Sequence, residues 1–163
     1  SMRGLVFNRP PAPVVEMIPE GSTIGFYHPV GAEAPTLGWM RWFHENGREI
    51  ALPHFTDRSS AMEFRHWANP WIEDDLHAGP YSAMQSGGDP VEVDTVIVPL
   101  VAFTEDCHRL GQGGGHYDRW LSRHPGVTAI GLAWDAQKLD SLPLEPHDRQ
   151  LAAVVTPTRI YWS

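Results

Sequence analysis

The sequence of 163 residues contains one lysine, Lys138, one cysteine, Cys107, and no run of basic residues. The sequence has twelve basic and twenty acidic residues, so the formal net charge is −8 at pH 7. Such an acidic chain is a poor candidate for binding nucleic acid or an anionic membrane, because both attract positively charged surfaces. A single cysteine cannot form an internal disulfide, which fits a reducing compartment.

Long apolar runs are also missing from the sequence. No stretch approaches the roughly 20 apolar residues that a membrane-spanning helix needs, and no secretory signal pattern opens the chain. We therefore expect a cytoplasmic protein without a membrane or nucleic-acid partner. Ser1 ahead of Met2 is typical of a residue left after tag removal. With 42% hydrophobic residues, the chain has the composition and length of one globular domain.

The chain divides into a short amino-terminal segment and one domain. Residues 1–22 are rich in proline and polar residues and are predicted to form an irregular arm. Residues 23–163 are predicted to form a single domain. Within it, residues 57–90 are the least regular part, where the stretch 60–65 fits either a strand or a turn of helix.

Strands and helices alternate through the rest of the predicted domain. Two nearly continuous apolar stretches, 95–103 and 127–133, suit strands that are covered on both faces. This alternation predicts a layered α/β domain. The predicted strands are 23–27, 49–53, 95–103, 127–133 and 151–156, and the predicted helices are 36–46, 116–123 and 136–139.

A glycine-rich loop at residues 109–119 follows a predicted buried strand and opens a helix. Glycines permit positive φ angles and close approach of backbone N–H groups to a ligand, and a helix amino terminus adds unpaired donors and partial positive charge. The loop therefore predicts an anion site, best suited to phosphate. Its spacing matches neither the Walker loop nor the dinucleotide fingerprint. A flexible loop that is simply rich in glycine is the alternative.

Two aspartates from different segments could accompany bound phosphate. Asp118 lies in the first turn of the predicted helix, and Asp148 lies just before the last predicted strand. Mg²⁺ is held by one or two carboxylates together with water and phosphate oxygens. The commoner role of aspartate in such places is to cap a helix or a turn. Spacing alone leaves both roles open.

The order of several motifs resembles that of the 5-formyltetrahydrofolate cyclo-ligases, also called methenyltetrahydrofolate synthetases. The similarity extends over about residues 24–156 and is most specific in the glycine loop and the Tyr-Asp-Arg that follows it. It implies a three-layer α/β/α sandwich with a mostly parallel central sheet, related to the sugar-phosphate isomerase and CoA-transferase group. The motifs that carry it are 33–36, 51–53, 62–64, 98–103, 109–119, 131–133, 142–143, 147–148 and 154–156.

The resemblance implies an enzyme that uses ATP and Mg²⁺ to convert 5-formyltetrahydrofolate to 5,10-methenyltetrahydrofolate. The formyl group is an amide, so resonance makes its carbon a poor electrophile. Phosphorylation of the formyl oxygen provides a good leaving group, and N10 of the folate then closes the ring. The tasks left to the protein are alignment and neutralisation of charge.

The resemblance also assigns roles to residues of this chain. It implies catalytic roles for Arg109 and Tyr117 and a magnesium site at Asp118 and Asp148. Tyr117 is equally compatible with ordinary packing. The implied folate-binding residues are Glu33, His116 and Tyr117. The implied ATP-binding residues are Arg109, Gly111, Gln112, Gly113, Gly114, Gly115, His116, Tyr117, Asp118 and Arg119.

A second reading concerns the amino terminus. Family members begin with a helix whose Lys and Arg residues reach the ATP site, whereas the basic residues of segment 1–22 are Arg3 and Arg9. The alternative function is therefore a non-catalytic relative that binds a folate or a nucleotide. A sugar-phosphate isomerase on the same architecture is a weaker alternative, because the sequence offers no convincing acid and base for it.

Overall fold

The computed structural model describes residues 5–81, 83–111, 115–144 and 148–163. None of the helices in these ranges has the length and apolar character needed to cross a bilayer. The helices are α1 (Leu5–Asn8), α2 (Ala12–Glu16), α3 (Leu37–Glu45) and α4 (His116–Arg123), with a 3-10 helix at Asp135–Gln137. The strands are β1 (Thr23–Gly25), β2 (Glu49–His54), β3 (Glu63–His66), β4 (Leu76–Ala78), β5 (Met84–Ser86), β6 (Thr95–Val98), β7 (Ala102–Phe103), β8 (Arg109–Leu110), β9 (Thr128–Leu132), β10 (Ala153–Val155) and β11 (Ile160–Trp162).

A seven-stranded sheet forms the centre of the molecule, with strand order β11-β10-β9-β6-β1-β2-β3. The five inner strands pair in parallel, and the edge strands β3 and β11 are antiparallel to their neighbours. Two small antiparallel ribbons, β4–β5 and β7–β8, lie outside this sheet. The prediction of a mostly parallel central sheet is confirmed.

Helices cover both faces of the sheet. Successive residues of a strand point to opposite faces, so Ile50 and Leu52 of β2 pack in a cluster with α1, α2 and α3, whereas Ala51 packs in a second cluster with α4. Trp39 of α3 and Trp120 of α4 are among the large buried side chains of the two clusters. The three-layer prediction is therefore confirmed, and the relation to sugar-phosphate isomerases stays a prediction.

The helix predicted over 36–46 is α3, and its carboxyl end follows the predicted chemistry. Its buried residues recur at helical spacing, and Gly47 directly after the cap has a φ of +85°. Glycine reaches this left-handed region without the strain that a Cβ causes.

The amino-terminal segment differs from the irregular arm that we predicted. It contains α1 and α2, and Phe7, Val14 and Ile18 are buried in the cluster that includes α3. The reason is that the apolar residues between the prolines supply part of the covering of one sheet face. The boundary at residue 22 stays a prediction.

The single strand predicted over 95–103 is in fact two strands. β6 ends at Val98, before Pro99, which has no N–H to donate to a ladder. The chain then forms β7, which pairs with β8 through Phe103 and Arg109. This ribbon matters for function because it carries Arg109 toward the carboxyl ends of the parallel strands.

Candidate active site

A cavity of about 180 Å³ lies at the carboxyl ends of parallel strands. Tyr27 and His28 follow β1, Pro53 stands near the end of β2, and Pro99 follows β6. Ligands of open α/β sheets bind outside these strand ends. We call this space the strand-end cavity. Its lining residues are Tyr27, His28, Val30, Glu33, Pro53, Phe55, Tyr81, Ala83, Met84, Gln85, Pro99, Arg109, Gly115, His116, Tyr117 and Asp118.

The positive charge of the strand-end cavity belongs to Arg109, whose side chain is only 4% exposed. One terminal nitrogen lies 3.0 Å from Oδ1 of Asp118, and the other donates to the carbonyl oxygen of Pro99 at 3.1 Å. Burial lowers the pKa of Arg109, and the nearby charges of Asp118 and Asp148 oppose that effect. Its Nε is buried and has no hydrogen-bond partner among the described residues. A fixed cation with one unused donor therefore lines the cavity.

Tyr117 supplies a second unused donor. Its hydroxyl oxygen is buried and has no partner in the described part of the chain. Burial raises the pKa of this phenol strongly and the charge of Glu33 raises it further, while Arg109 lowers it. The hydroxyl therefore stays protonated near neutral pH and can donate a hydrogen bond.

Glu33 and Tyr27 stand beside Tyr117 at the same end of the sheet. Oε1 of Glu33 accepts the N–H of Val30 at 2.8 Å, which holds the carboxylate in the turn after β1. The hydroxyl of Tyr27 donates to the carbonyl oxygen of Ala34 at 2.7 Å. Burial raises the pKa of Tyr27, and so does the charge of Glu33. The two tyrosines and the carboxylate are thus close enough to influence one another.

One wall of the strand-end cavity is aromatic. The ring of His116 lies 4.7 Å from that of Phe55 and 4.6 Å from that of Tyr81, measured between centroids. Phe55 and Tyr81 meet edge-to-face at 4.8 Å. Burial lowers the pKa of His116, and the charge of Arg119 lowers it further. The wall can pack against a flat ring, since aromatic pairs favour such offset contacts.

Gln85 of β5 fixes the position of this wall. Its side chain accepts the N–H of Phe55 at 2.9 Å and donates to the carbonyl oxygen of the same residue at 3.2 Å. Gln85 is only 4% exposed. The Gln85 side chain therefore makes the hydrogen bonds to the backbone of Phe55 that a neighbouring strand would otherwise make, just beyond the end of β2.

Two glycines permit close approach of arginines at the start of α4. Gly115 caps the helix with a φ of +67°, and a Cβ there would lie 2.9 Å from a terminal nitrogen of Arg119. A Cβ on Gly111 would collide with the guanidinium of Arg109. Gln112, Gly113 and Gly114 lie outside the described residues. The phosphate cradle therefore stays a prediction that these two contacts favour.

The predicted magnesium ligands, Asp118 and Asp148, do not belong to a recognisable metal centre within the described residues. No group of three His, Cys, Asp or Glu residues in the described ranges is arranged to hold a metal. Asp118 is paired with Arg109 yet keeps 39% of its side chain exposed. Asp148 is close enough to Arg109 to affect its pKa. Both aspartates are thus near the same guanidinium, and their role in holding Mg²⁺ stays a prediction.

Six of the nine described residues to which the resemblance gives a role in the site line the same cavity. Those that line the strand-end cavity are Glu33, Arg109, Gly115, His116, Tyr117 and Asp118. Arg119 is exposed and contacts the cavity indirectly, through a 3.1 Å hydrogen bond to Nδ1 of His116. Sequence reasoning missed Phe55, Tyr81 and Gln85, because their meeting depends on contacts between distant segments that no local pattern reveals.

The sequence of the chain is similar to those of known proteins of one family. The 5-formyltetrahydrofolate cyclo-ligase family matches residues 14–157. A 5-formyltetrahydrofolate cyclo-ligase of Mycolicibacterium smegmatis is 30% identical over 150 residues, which cover 85% of this chain and 75% of that protein. The Escherichia coli K12 enzyme of the same name is 46% identical over 71 residues, 42% of this chain, and the matching segment covers only 39% of the E. coli protein.

Solved structures give the same picture of the fold. The NMR structure of Aquifex aeolicus 5,10-methenyltetrahydrofolate synthetase is 25% identical with a TM-score of 0.71, covering 87% of this chain and 72% of that one. A 5,10-methenyltetrahydrofolate synthetase from Mycoplasma pneumoniae is 24% identical with a TM-score of 0.60, covering 83% and 73%. The second likeness supports the fold alone.

Proposed function

Because the chain belongs to the 5-formyltetrahydrofolate cyclo-ligase family, we propose that it converts 5-formyltetrahydrofolate to 5,10-methenyltetrahydrofolate at the expense of ATP. The observation that carries the proposal is a pair of buried donors, Arg109 Nε and the Tyr117 hydroxyl, which have no partner among the described residues and belong to two residues that line the strand-end cavity. Buried polar groups are normally hydrogen-bonded, and a bound substrate is a candidate for the acceptor that the described residues do not supply. The single cysteine is a buried thiol, which fits a reducing cytoplasm.

The reaction needs the formyl oxygen to become a leaving group. The bond between the γ-phosphorus of ATP and its bridging oxygen breaks, and a bond from that phosphorus to the formyl oxygen forms. N10 of the folate then attacks the formyl carbon and loses its proton to solvent, and the carbon–oxygen bond breaks to release inorganic phosphate. The products are the methenyl compound, ADP and phosphate. Catalysis of this kind rests on alignment and electrostatic stabilisation.

Arg109 neutralises negative charge during both steps. Its guanidinium is held by Asp118 and Pro99, so it does not reorganise when charge develops on a phosphate oxygen. In a site with little water, such a fixed charge stabilises a transition state more than a mobile one does. Its Nε, which has no partner in the described part of the chain, is the donor available to the transferred group.

Tyr117 and Glu33 position the folate. The raised pKa keeps the Tyr117 hydroxyl protonated, so it serves as a donor and not as a base. The carboxylate of Glu33 can accept paired N–H groups from a pterin ring, since carboxylates favour bidentate contacts. The aromatic wall of Phe55, Tyr81 and His116 offers a surface for the ring face.

Mg²⁺ fits the oxygen donors of this site. Asp118 and Asp148 would hold it, because both are carboxylates near the guanidinium of Arg109, and Mg²⁺ needs few protein ligands when phosphate and water complete its shell. When bound, the ion shields the negative charge of the phosphates. The rest of the work falls to Arg109, Tyr117 and Glu33.

The test is a turnover assay that also measures binding. Purified protein, 5-formyltetrahydrofolate, Mg²⁺ and ATP are expected to give the absorbance of the methenyl product, with one phosphate released per product, and no product when ATP is omitted. Folate binding with no turnover would contradict the proposal and favour the non-catalytic alternative. The variant Arg109→Met, checked for folding by circular dichroism, is expected to lose turnover because it lacks the buried charge.

A further inference from the structure

A second concavity of about 260 Å³ shares the lining residue His116 with the strand-end cavity. We call it the arginine pocket. His116 lines both spaces, so a ligand that passes this ring can enter the two at once. None of the residues that line the arginine pocket is acidic: they are Arg58, Ser59, Ser60, Ala61, Met62, His116, Arg119 and Arg123.

The three arginines of this pocket have no ion-pair partner among the described residues. Arg65 and Arg109, by contrast, are paired with carboxylates. Because the chain has eight more acidic than basic residues, partners are abundant elsewhere on its surface. Three uncompensated guanidinium groups around one concavity repel one another, so a bound anion would stabilise them.

The positions of the three arginines in the fold give little structural reason for them to lie around one pocket. Arg123 lies in the last turn of α4, where the helix dipole favours a cation, but Arg119 lies near the amino end, where it does not. Arg58 comes from the loop before β3 and stands 5.1 Å above the ring of Tyr81. The nearest carboxylate along the chain, Asp57, is already held by the hydroxyl groups of Ser59 and Ser60.

His116 adds a neutral donor at the border between the two spaces. Its Nδ1 accepts a hydrogen bond from Arg119 at 3.1 Å. A neutral ring that accepts at Nδ1 carries its proton on Nε2. The border therefore combines guanidinium groups with an N–H donor, a set that suits carboxylate and phosphate oxygens.

We propose that the arginine pocket binds the anionic end of a substrate whose reacting part occupies the strand-end cavity, an inference that rests on the proposed function. Two substrates carry such a group: ATP has its α- and β-phosphates next to the γ-phosphoryl group that reacts, and the folate has the carboxylates of its glutamate tail. Guanidinium groups pair with both in the same forked geometry. Arg58, which packs over Tyr81 of the aromatic wall, and Arg123 would extend recognition beyond that wall.

The experiment uses Arg58→Ala and Arg123→Ala in the full chain. Arg159→Ala is the matched control, because Arg159 is an exposed arginine beside β11, at the sheet edge opposite β3. Calorimetry measures the Kd of ATP, of inorganic tripolyphosphate, and of 5-formyltetrahydrofolate with one or three glutamates. Each pocket variant is expected to weaken the binding of one class of ligand, the two phosphate compounds or the two folates, by about threefold to tenfold, the effect of a charge-assisted contact partly screened by solvent.

The pattern of losses distinguishes the two sources. Losses for ATP and tripolyphosphate alone assign the pocket to phosphates, and losses for the folate that grow with the number of glutamates assign it to the tail. Unchanged affinities for all four ligands, or equal losses in Arg159→Ala, overturn the proposal. Unchanged affinities together with normal turnover would contradict the proposed role of the arginine pocket and leave the proposed function intact. Affinities that depend on Arg58 and Arg123, in a protein without turnover, would contradict the proposed function and support the role of the pocket.

Discussion

At the scale of single residues, the buried donors Arg109 Nε and Tyr117 hydroxyl are the feature of the site that folding does not explain. A buried polar group without a hydrogen bond costs about 1–3 kcal/mol. A chain selected only for stability would remove that cost by placing phenylalanine at position 117. The described residues offer these donors no acceptor, and a bound substrate would supply one.

Tyr117→Phe separates stability from catalysis. Because the hydroxyl has no partner among the described residues, its removal is expected to leave the free energy of unfolding unchanged or to raise it by up to about 1 kcal/mol. Loss of a donor to the reacting groups is expected to lower kcat/KM by about 10-fold to 100-fold. Thermal unfolding and the turnover assay measure the two effects. Normal kcat/KM in a stable variant would show that Tyr117 only packs.

Asp118→Asn tests the assignment of the metal and nucleotide side. The substitution removes a charge beside Arg109 and is expected to weaken ATP in the presence of Mg²⁺ by about tenfold, the size of a charge-assisted contact. The affinity for the folate is expected to change by less than about twofold, because the pterin does not need the metal.

Asp140→Asn is the matched control, since Asp140 is exposed and outside both cavities. Calorimetry of ATP with and without Mg²⁺ gives the comparison. Equal losses for ATP and folate in the Asp118 variant would contradict the assignment.

At the scale of elements, the β4–β5 ribbon was not predictable from the sequence, although the site depends on it. Its strands have three residues each, which is too short for an apolar alternation to identify them. Within and before the ribbon, Gln85 and Tyr81 contact Phe55 from another part of the chain, and such long-range contacts leave no local pattern in the sequence. By contrast, α3 and α4 were predictable, since helical spacing and capping glycines are local signals.

Gln85→Ala tests the role of this ribbon. The substitution leaves the N–H and the carbonyl oxygen of Phe55 without their side-chain partner, which is expected to cost about 1–3 kcal/mol of stability. A looser aromatic wall is expected to raise the KM for the folate more than it lowers kcat.

The control is Gln150→Ala, because Gln150 is exposed and its side chain donates to the carbonyl oxygen of Asp106, outside the site. Gln85→Glu is expected to recover part of the effect, since its carboxylate still accepts the N–H of Phe55. A lower kcat with an unchanged KM would argue against a positioning role for Gln85.

At the scale of the whole molecule, the amino-terminal segment is joined to the sheet by a buried arginine. Arg48 is 7% exposed, and its Nε and one terminal nitrogen donate to the carbonyl oxygens of Ile18 at 3.0 Å and Asn46 at 2.7 Å. The guanidinium thus connects the end of the segment after α2 to the turn before β2.

Arg48→Met keeps the length of the side chain and removes these hydrogen bonds. The expected loss of stability is about 2–4 kcal/mol, because buried carbonyl groups lose charged donors. For a chain of this size that corresponds to a Tm lower by about 5–15 °C. Arg9→Met is the control in the same segment, as Arg9 is exposed. Equal Tm values for the two variants would contradict the proposed connection.

The parts of the fold that could be predicted are those that depend on contacts between residues close together in the sequence. The inner parallel strands were predictable because strands such as β6 and β9 are buried on both faces and read as apolar runs. The antiparallel edge strands, the break at Pro99 and the helical amino-terminal segment were not, because each depends on what packs against it. Asp118 could be singled out from its place after the glycine loop, whereas the roles of Glu33, Arg109 and Tyr117 came from the resemblance. The two buried donors without a partner among the described residues came from the structure.

An ¹⁸O label in the formyl group shows where the formyl oxygen goes in the reaction. When labelled 5-formyltetrahydrofolate is converted in the presence of ATP and Mg²⁺, phosphorylation of the formyl oxygen predicts that each released phosphate carries one ¹⁸O. Mass spectrometry of the phosphate measures this transfer. Unlabelled phosphate, with the ¹⁸O recovered in water, would contradict phosphorylation of the formyl oxygen in the strand-end cavity.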